Sequence, residues 1–155
     1  MCEGYRFVQC RSETDAVYKQ VIALEKKCFS KADSWRGDMA LELRRRNTFI
    51  ICMTMHADQH VLAYMLYSIH SLAAHIARLA VCPLHRRAGH AKRLIQHVTR
   101  ELQRARRIST FSLHVAVVNE PALALYKASG FKEDAFLQDY YAPGRHAHRL
   151  MLELQ

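Results

Sequence analysis

Apolar and polar positions change period along the chain, and each change marks an element. Tyr5 to Arg11 reads as a short strand. Val17, Val21, Leu24 and Cys28 then recur at helical spacing across residues 14–28, with Ser12 and Thr14 available as N-caps. A polar turn, Ser30 to Asp33, leads to a second short helix around Arg36–Arg46. Thr48–Met55 and Val61–Ser68 read as strands joined by His56-Ala57-Asp58-Gln59 in a hairpin. A further strand, about 73–82, stops at Pro83, which cannot donate to a ladder. Residues 88–106 carry the clearest helix pattern. There Ala91, Leu94, Ile95, Val98, Leu102 and Ala105 form one apolar stripe. Thr110–Val118 alternates, with Phe111, Leu113, Val115 and Val117 on one face and Ser112, His114 and Ala116 on the other. Asn119-Glu120-Pro121 has helix-start chemistry, and Gly130 suits a left-handed C-cap. Phe131 opens the next strand, and one about His148–Leu154 closes the chain. The order β-α-α-β-β-β-α-β-α-β-β predicts a mixed α/β sheet with helices on both faces.

Composition narrows the class. The chain has 155 residues with only five glycines and three prolines, and no repeat or linker interrupts it, so it reads as a single domain over 1–155. Half of it is hydrophobic and 24% is charged, enough to build a core without staples. No stretch approaches the roughly 20 apolar residues of a membrane span, and the N-terminus lacks a signal-like apolar core. Five cysteines are scattered without a CxxC pair, which argues against a disulfide framework and against zinc, and for reduced cytoplasmic thiols. His56-x-x-x-His60 has metal-like spacing but no third ligand in view, so no metal is expected. The balance 23 − 14 = +9 attracts polyanions such as nucleic acid, ribosome, anionic lipid or a phosphorylated cofactor. Charge alone does not choose among them. No nucleic-acid-binding helix or aromatic RNA-binding signature is present, and no DNA partner is expected.

Chemistry concentrates in Leu79-Ala80-Val81-Cys82-Pro83-Leu84-His85-Arg86-Arg87-Ala88-Gly89-His90-Ala91. A strand runs through a basic loop into a helix whose first turn admits small residues. Unpaired amides and the positive helix end favour a phosphate there. An ordinary strand–helix junction with solvated arginines has the same composition.

Arg86-x-x-Gly89-x-Ala91 resembles the acetyl-CoA-binding motif of the GNAT N-acetyltransferase superfamily. A second block, Asn119-Glu120-Pro121-Ala122-Leu123-Ala124-Leu125-Tyr126-Lys127-Ala128-Ser129-Gly130-Phe131, is similar to the family's Asn-x-x-Ala-x-x-x-Tyr-x-x-x-Gly-Phe. The two blocks and their spacing span about residues 73–152. The resemblance implies a central sheet of about seven strands, split between the fourth and fifth, with acetyl-CoA in the split. The ending Gln138-Asp139-Tyr140-Tyr141 through Met151 resembles protein N-terminal acetyltransferases of the ribosomal-protein-alanine and NatE types, with His146 where that ending carries aspartate.

By this resemblance Leu79, Ala80 and Val81 pair with the pantetheine arm. Amides of Arg87, Ala88, Gly89, His90, Ala91 and Lys92 cradle the pyrophosphate, and Arg86 and Arg87 add charge. Asn119 and Tyr126 contact the cofactor, and Tyr126 protonates the leaving thiolate; its spacing also suits a core aromatic. The amine substrate needs a base. His114 is the candidate, at a position where the NatE-type enzyme has histidine, although a structural histidine between strands fits the same pattern. His75 falls near a position that is a catalytic tyrosine in that enzyme. Tyr140 and Tyr141 line a peptide channel, with Phe29 through Trp35 opposite. The function implied is acetylation of a protein or peptide N-terminus by direct attack, with lysine side chains or small amines as alternative acceptors. A basic ribosome- or nucleic-acid-binding module without turnover is the alternative of another class. Ribosome association and an auxiliary subunit remain open.

Overall fold

A computed structural model describes residues 4–29, 39–56 and 59–155. In chain order it contains β1 (Tyr5–Cys10), α1 (Tyr18–Cys28), α2 (Met39–Leu43), β2 (Thr48–Met55), β3 (Val61–His70), β4 (Ala73–Val81), a 3-10 turn (Pro83–His85), α3 (His90–Arg106), β5 (Thr110–Ala116), α4 (Glu120–Ala128), β6 (Lys132–Ala142) and β7 (Arg145–Glu153). This is the order the periodicities predict, with boundaries moved by a few residues. The first part of the expected second helix, residues 36–38, lies outside the described residues. So do Ser30 to Trp35 and the hairpin positions Ala57 and Asp58.

Seven strands form one sheet in the order β1-β2-β3-β4-β5-β7-β6. The β1–β2, β2–β3, β5–β7 and β6–β7 pairs are antiparallel, and β4–β5 is parallel. The parallel ladder is short: it runs from Ala73↔Thr110 to Ile76↔Leu113 and ends there. Among the described residues no helix is long and apolar enough to cross a membrane.

The chain forms two compact units, Met1–Ser68 with Arg78–Leu94, and Ile69–Ala77 with Ile95–Gln155. In the first, Val21 and Leu24 of α1 pack with Ile50, Cys52, Tyr64 and Leu66 in a buried cluster. Every residue of β3 from Val61 to Tyr67 is buried, the signature of an interior strand. Ser12 and Thr14 do not cap α1. The N-cap position is Val17, which offers no side-chain acceptor, while the Ser12 and Thr14 hydroxyls bond each other at 2.7 Å in the preceding turn.

In the second unit β5 alternates as its sequence demands, with Phe111, Leu113 and Val115 buried and Ser112, His114 and Ala116 half-exposed. Ile95, Val98 and Leu102 of α3 are buried, and each such side chain contributes about 1.5–3 kcal/mol. Ala105 departs from the predicted stripe: it lies exposed in the helix's last turn.

Candidate active site

In the first unit, the end of β4 feeds a loop shaped for an anion. Arg87 (φ +64°) and Gly89 (φ +80°) take left-handed conformations just before α3 begins at His90. A Cβ on Gly89 would lie 3.7 Å from Nη1 of Arg93, so its backbone angle, not crowding, asks for glycine. The amides of His90, Ala91 and Lys92 open the helix without intrahelical acceptors and suit a phosphate oxygen. Arg93 steadies the turn, donating to the Ala88 carbonyl at 2.7 Å. Arg86 Nε donates to the Val81 carbonyl at 3.3 Å, and its Nη2 lies 3.5 Å from the Cys28 sulfur. Its guanidinium therefore braces the end of β4, while Arg87 and Lys92 stand exposed. Leu79 is half-buried and Ala80 is part of the core.

The same unit holds a charged group that sequence reasoning missed. Glu25 is buried on α1, accepts from the Tyr64 hydroxyl at 2.5 Å and pairs with Arg78 Nε at 3.4 Å. The Arg78 guanidinium in turn lies 4.1 Å from the ring centre of Phe29. Burial and the neighbouring carboxylate push the Tyr64 phenol well above its usual range, so it stays a donor. Only the buried helix face at 21, 24 and 25 hints at Glu25 in the sequence, because its partners come from distant strands.

The second unit gathers the aromatic and imidazole groups. His114 on β5 has its Nδ1 3.0 Å from the Tyr140 hydroxyl, with ring centres 4.7 Å apart. Tyr141 packs edge-on against Tyr140 at 4.9 Å. His75 lies 5.0 Å from the His114 ring, and its Nδ1 bonds the Ser112 hydroxyl at 2.9 Å. Burial lowers the pKa of His114, and so does the charge of Arg149, its direct partner across the β5–β7 ladder. Burial lowers His75 as well, followed by the charges of His114 and His70. Both imidazoles are thus held toward the neutral form.

Tyr140 reaches His114 because β6 is irregular between Leu137 and Ala142. Asp139 takes φ +55°, donates its N–H to His146 Nδ1 at 2.9 Å, and accepts from the Gly144 N–H at 2.7 Å. Such an irregularity re-aims the side chains beside it. His146, the departure from the family's ending, is thereby an acceptor that holds this bend.

Tyr126 on α4 is buried and sits edge-on to Phe131 at 5.8 Å. Burial, with a smaller push from Tyr141, raises its pKa to about 12. Asn119 caps α4, its side-chain oxygen accepting from the Ala122 N–H at 3.3 Å.

In the first unit the fold also gathers His60, Cys82 and His85, with donor atoms all within 4.8 Å of one another. The grouping does not involve His56, and only the fold brings His60 to the Cys82–His85 turn.

Comparison with known proteins bears on this geometry. A family model described as "Acetyltransferase (GNAT) family" matches residues 15–131, which includes much of the N-terminal half. An N-alpha-acetyltransferase of Sulfurisphaera tokodaii is 35% identical over 80 residues, 52% of this chain and 48% of that one. The chain spans about half the length of the first curated relatives it matches. The crystal structure of the ribosomal-protein-S18-alanine N-acetyltransferase from Escherichia coli aligns with TM-score 0.79 at 20% identity, over 97% of this chain and 94% of that one. Spermidine N-acetyltransferase from Vibrio cholerae, in complex with CoA and spermine, aligns equally at 0.79 with 15% identity, over 96% and 95%. At such identities these two structures show a shared fold.

Proposed function

The chain belongs to the acetyltransferase (GNAT) family, and on that premise we propose that it is an acetyl-CoA-dependent N-acetyltransferase whose acceptor is the α-amine of a protein N-terminus. The observation that carries the catalytic part is His114, a neutral-leaning imidazole bonded through Nδ1 to Tyr140 on the half-exposed face of β5. When Nδ1–H donates to the phenol oxygen, the Nε2 lone pair is left to take a proton from the substrate ammonium, directly or through a water. The freed amine attacks the thioester carbon in a ternary complex. The tetrahedral adduct collapses with C–S cleavage as Tyr126 passes its phenol proton to the CoA thiolate; the acylated nitrogen sheds its extra proton to solvent, and solvent reprotonates the phenolate. A phenol with a pKa of about 12 is fully protonated at neutral pH and so available for that task.

The roles of the remaining residues follow the same reading. The backbone of Leu79–Val81 lies beyond the last β4–β5 pair and takes the pantetheine arm as an added strand, with the Val81 N–H polarising the thioester carbonyl. Amides from Arg87 to Lys92 hold the pyrophosphate, with Arg86 and Arg87 adding charge, and Asn119 contacts the cofactor. Phe29, His75, Tyr140 and Tyr141 contact the peptide. The choice of an α-amine acceptor is supported by the 35% identity to an N-alpha-acetyltransferase.

The test is mass-spectrometric acetyl transfer to peptides that carry an internal lysine and a free or blocked N-terminus, with spermidine in parallel. Label confined to the free α-amine, reduced about 10²- to 10⁴-fold in His114→Ala, is the expected result. Label on lysine in blocked peptides would move the activity to side chains, and label on spermidine alone would move it to small amines. No transfer to any acceptor, with RNA binding that falls steeply with salt, would favour a binding module.

A further inference from the structure

We propose that His60, Cys82 and His85 form a binding site for a thiophilic divalent cation of the zinc class. It stands on the first compact unit alone and does not depend on the transferase reading. Backbone geometry brings the three together. Cys82 is the N-cap of the 3-10 turn, and residues three apart in such a turn eclipse one another, which puts the thiol and the His85 ring on one side. The His85 N–H donates to the Cys82 carbonyl at 2.8 Å and locks that turn.

His60 arrives from the other side. The Cys82 N–H donates to the Leu62 carbonyl at 2.7 Å, which docks the start of β3 against the turn. His60 itself is anchored: its carbonyl accepts from the Met55 N–H at 2.8 Å, and the next amide, of Val61, donates to Gln20 Oε1 at 2.8 Å. The His60 and His85 ring centres are 5.7 Å apart.

The donor set of two imidazoles and one thiol is that of zinc rather than of magnesium or calcium, which take oxygen ligands. Ligand atoms around a tetrahedral zinc lie roughly 3.3–3.6 Å apart, given bonds of about 2.0–2.3 Å. From donors within 4.8 Å, closure asks for movements of about 1 Å at the donor atoms. Cys82 is buried, which shields a metal–thiolate bond from water, whereas His60 is exposed and leaves an entry path. A second observation points the same way. His90 Nδ1 is buried without a hydrogen-bond partner, on a ring 6.4 Å from that of His85. A metal-bound water, or the metal's fourth position, would satisfy it.

Binding replaces the Cys82 S–H bond with a metal–sulfur bond and releases the proton to solvent. The ion would fasten the start of β3 to the loop that leads into the α3 amides. The experiment uses the full chain, reduced and stripped with chelator, titrated with Co²⁺ as the spectroscopic probe and then with Zn²⁺. The expected result is one equivalent of Co²⁺ with a thiolate-to-cobalt charge-transfer band and intense four-coordinate visible bands, both removed by Zn²⁺. Cys82→Ser should abolish the charge-transfer band, and His60→Ala, at an exposed position, should weaken binding by about 100-fold or more. His56→Ala should bind as wild type. Absence of the band in wild type, its survival in Cys82→Ser, or unchanged affinity in His60→Ala would each overturn the site. Should Cys82→Ser lose its circular dichroism, His60→Ala decides alone.

Discussion

His114 shows how far a single residue depends on neighbours that its own segment does not name. Its alternation on β5 is legible, but Arg149 stands opposite it only through the β5–β7 register, and Tyr140 reaches it only through the bend at Asp139. Arg149 is itself held by Asp134, with Nε donating to the carboxylate at 2.7 Å. Because burial and Arg149 both lower the imidazole pKa, the acidic limb of kcat/KM should lie below the ordinary histidine value of 6.5. Arg149→Gln removes one of the two causes and should move that limb upward while leaving substantial activity. A limb that stays put in Arg149→Gln would show that His114 is not the group whose protonation is being read.

At the scale of elements, the end of α4 is a Schellman motif, and it does more than stop a helix. The Phe131 N–H donates to the Tyr126 carbonyl at 3.0 Å, and the Gly130 N–H donates to the Lys127 carbonyl at 3.1 Å. The edge-on contact of Phe131 with Tyr126 is the apolar clasp that accompanies such a motif. The Gly-Phe pair therefore sets where the Tyr126 ring lies. Gly130 has φ +98°, and a Cβ there would come 3.1 Å from Leu152 Cδ1. Gly130→Ala should cost about 1–2 kcal/mol in backbone strain, with a further loss as Leu152 gives way. A thermal melt and a transfer assay should both register it, with kcat reduced through the displaced phenol. An unchanged melt would mean that the turn accommodates a side chain, and the positioning argument would fail. This motif was readable from Gly130 and Phe131, whereas the missing cap at Val17 was not. Ser12 and Thr14 have capping chemistry, but the turn they form ends before the helix begins.

Across the whole molecule, histidine burial couples stability to pH. His75, His97 and His114 each have a folded-state pKa lowered from 6.5 chiefly by burial. Below that ordinary value the unfolded chain binds protons that the folded chain resists, so stability rises with pH through this window. Their contribution is fully present above about 6.5 and is lost as pH falls through the lowered folded values. The melting temperature, measured in chelator, should fall between pH 7.5 and 5.5, and His97→Gln should flatten the fall. A melting temperature that holds or rises on acidification would contradict the assignment.

The strand and helix order, the alternation of β5 and the turn at Gly130 were all determined by local sequence. Each rests on a period of two or 3.6, or on one residue's backbone freedom, within a dozen positions. Family membership was legible for a related reason, because the Arg86 and Asn119 blocks are contiguous stretches. Tertiary structure decided what linear spacing cannot encode. The Glu25–Tyr64–Arg78 network, the His114–Tyr140 bond and the meeting of His60 with Cys82 and His85 each bring in a residue 22 or more positions away. Polar groups at such distances meet only when buried apolar packing has already fixed the strands that carry them, and that packing is a property of the folded chain.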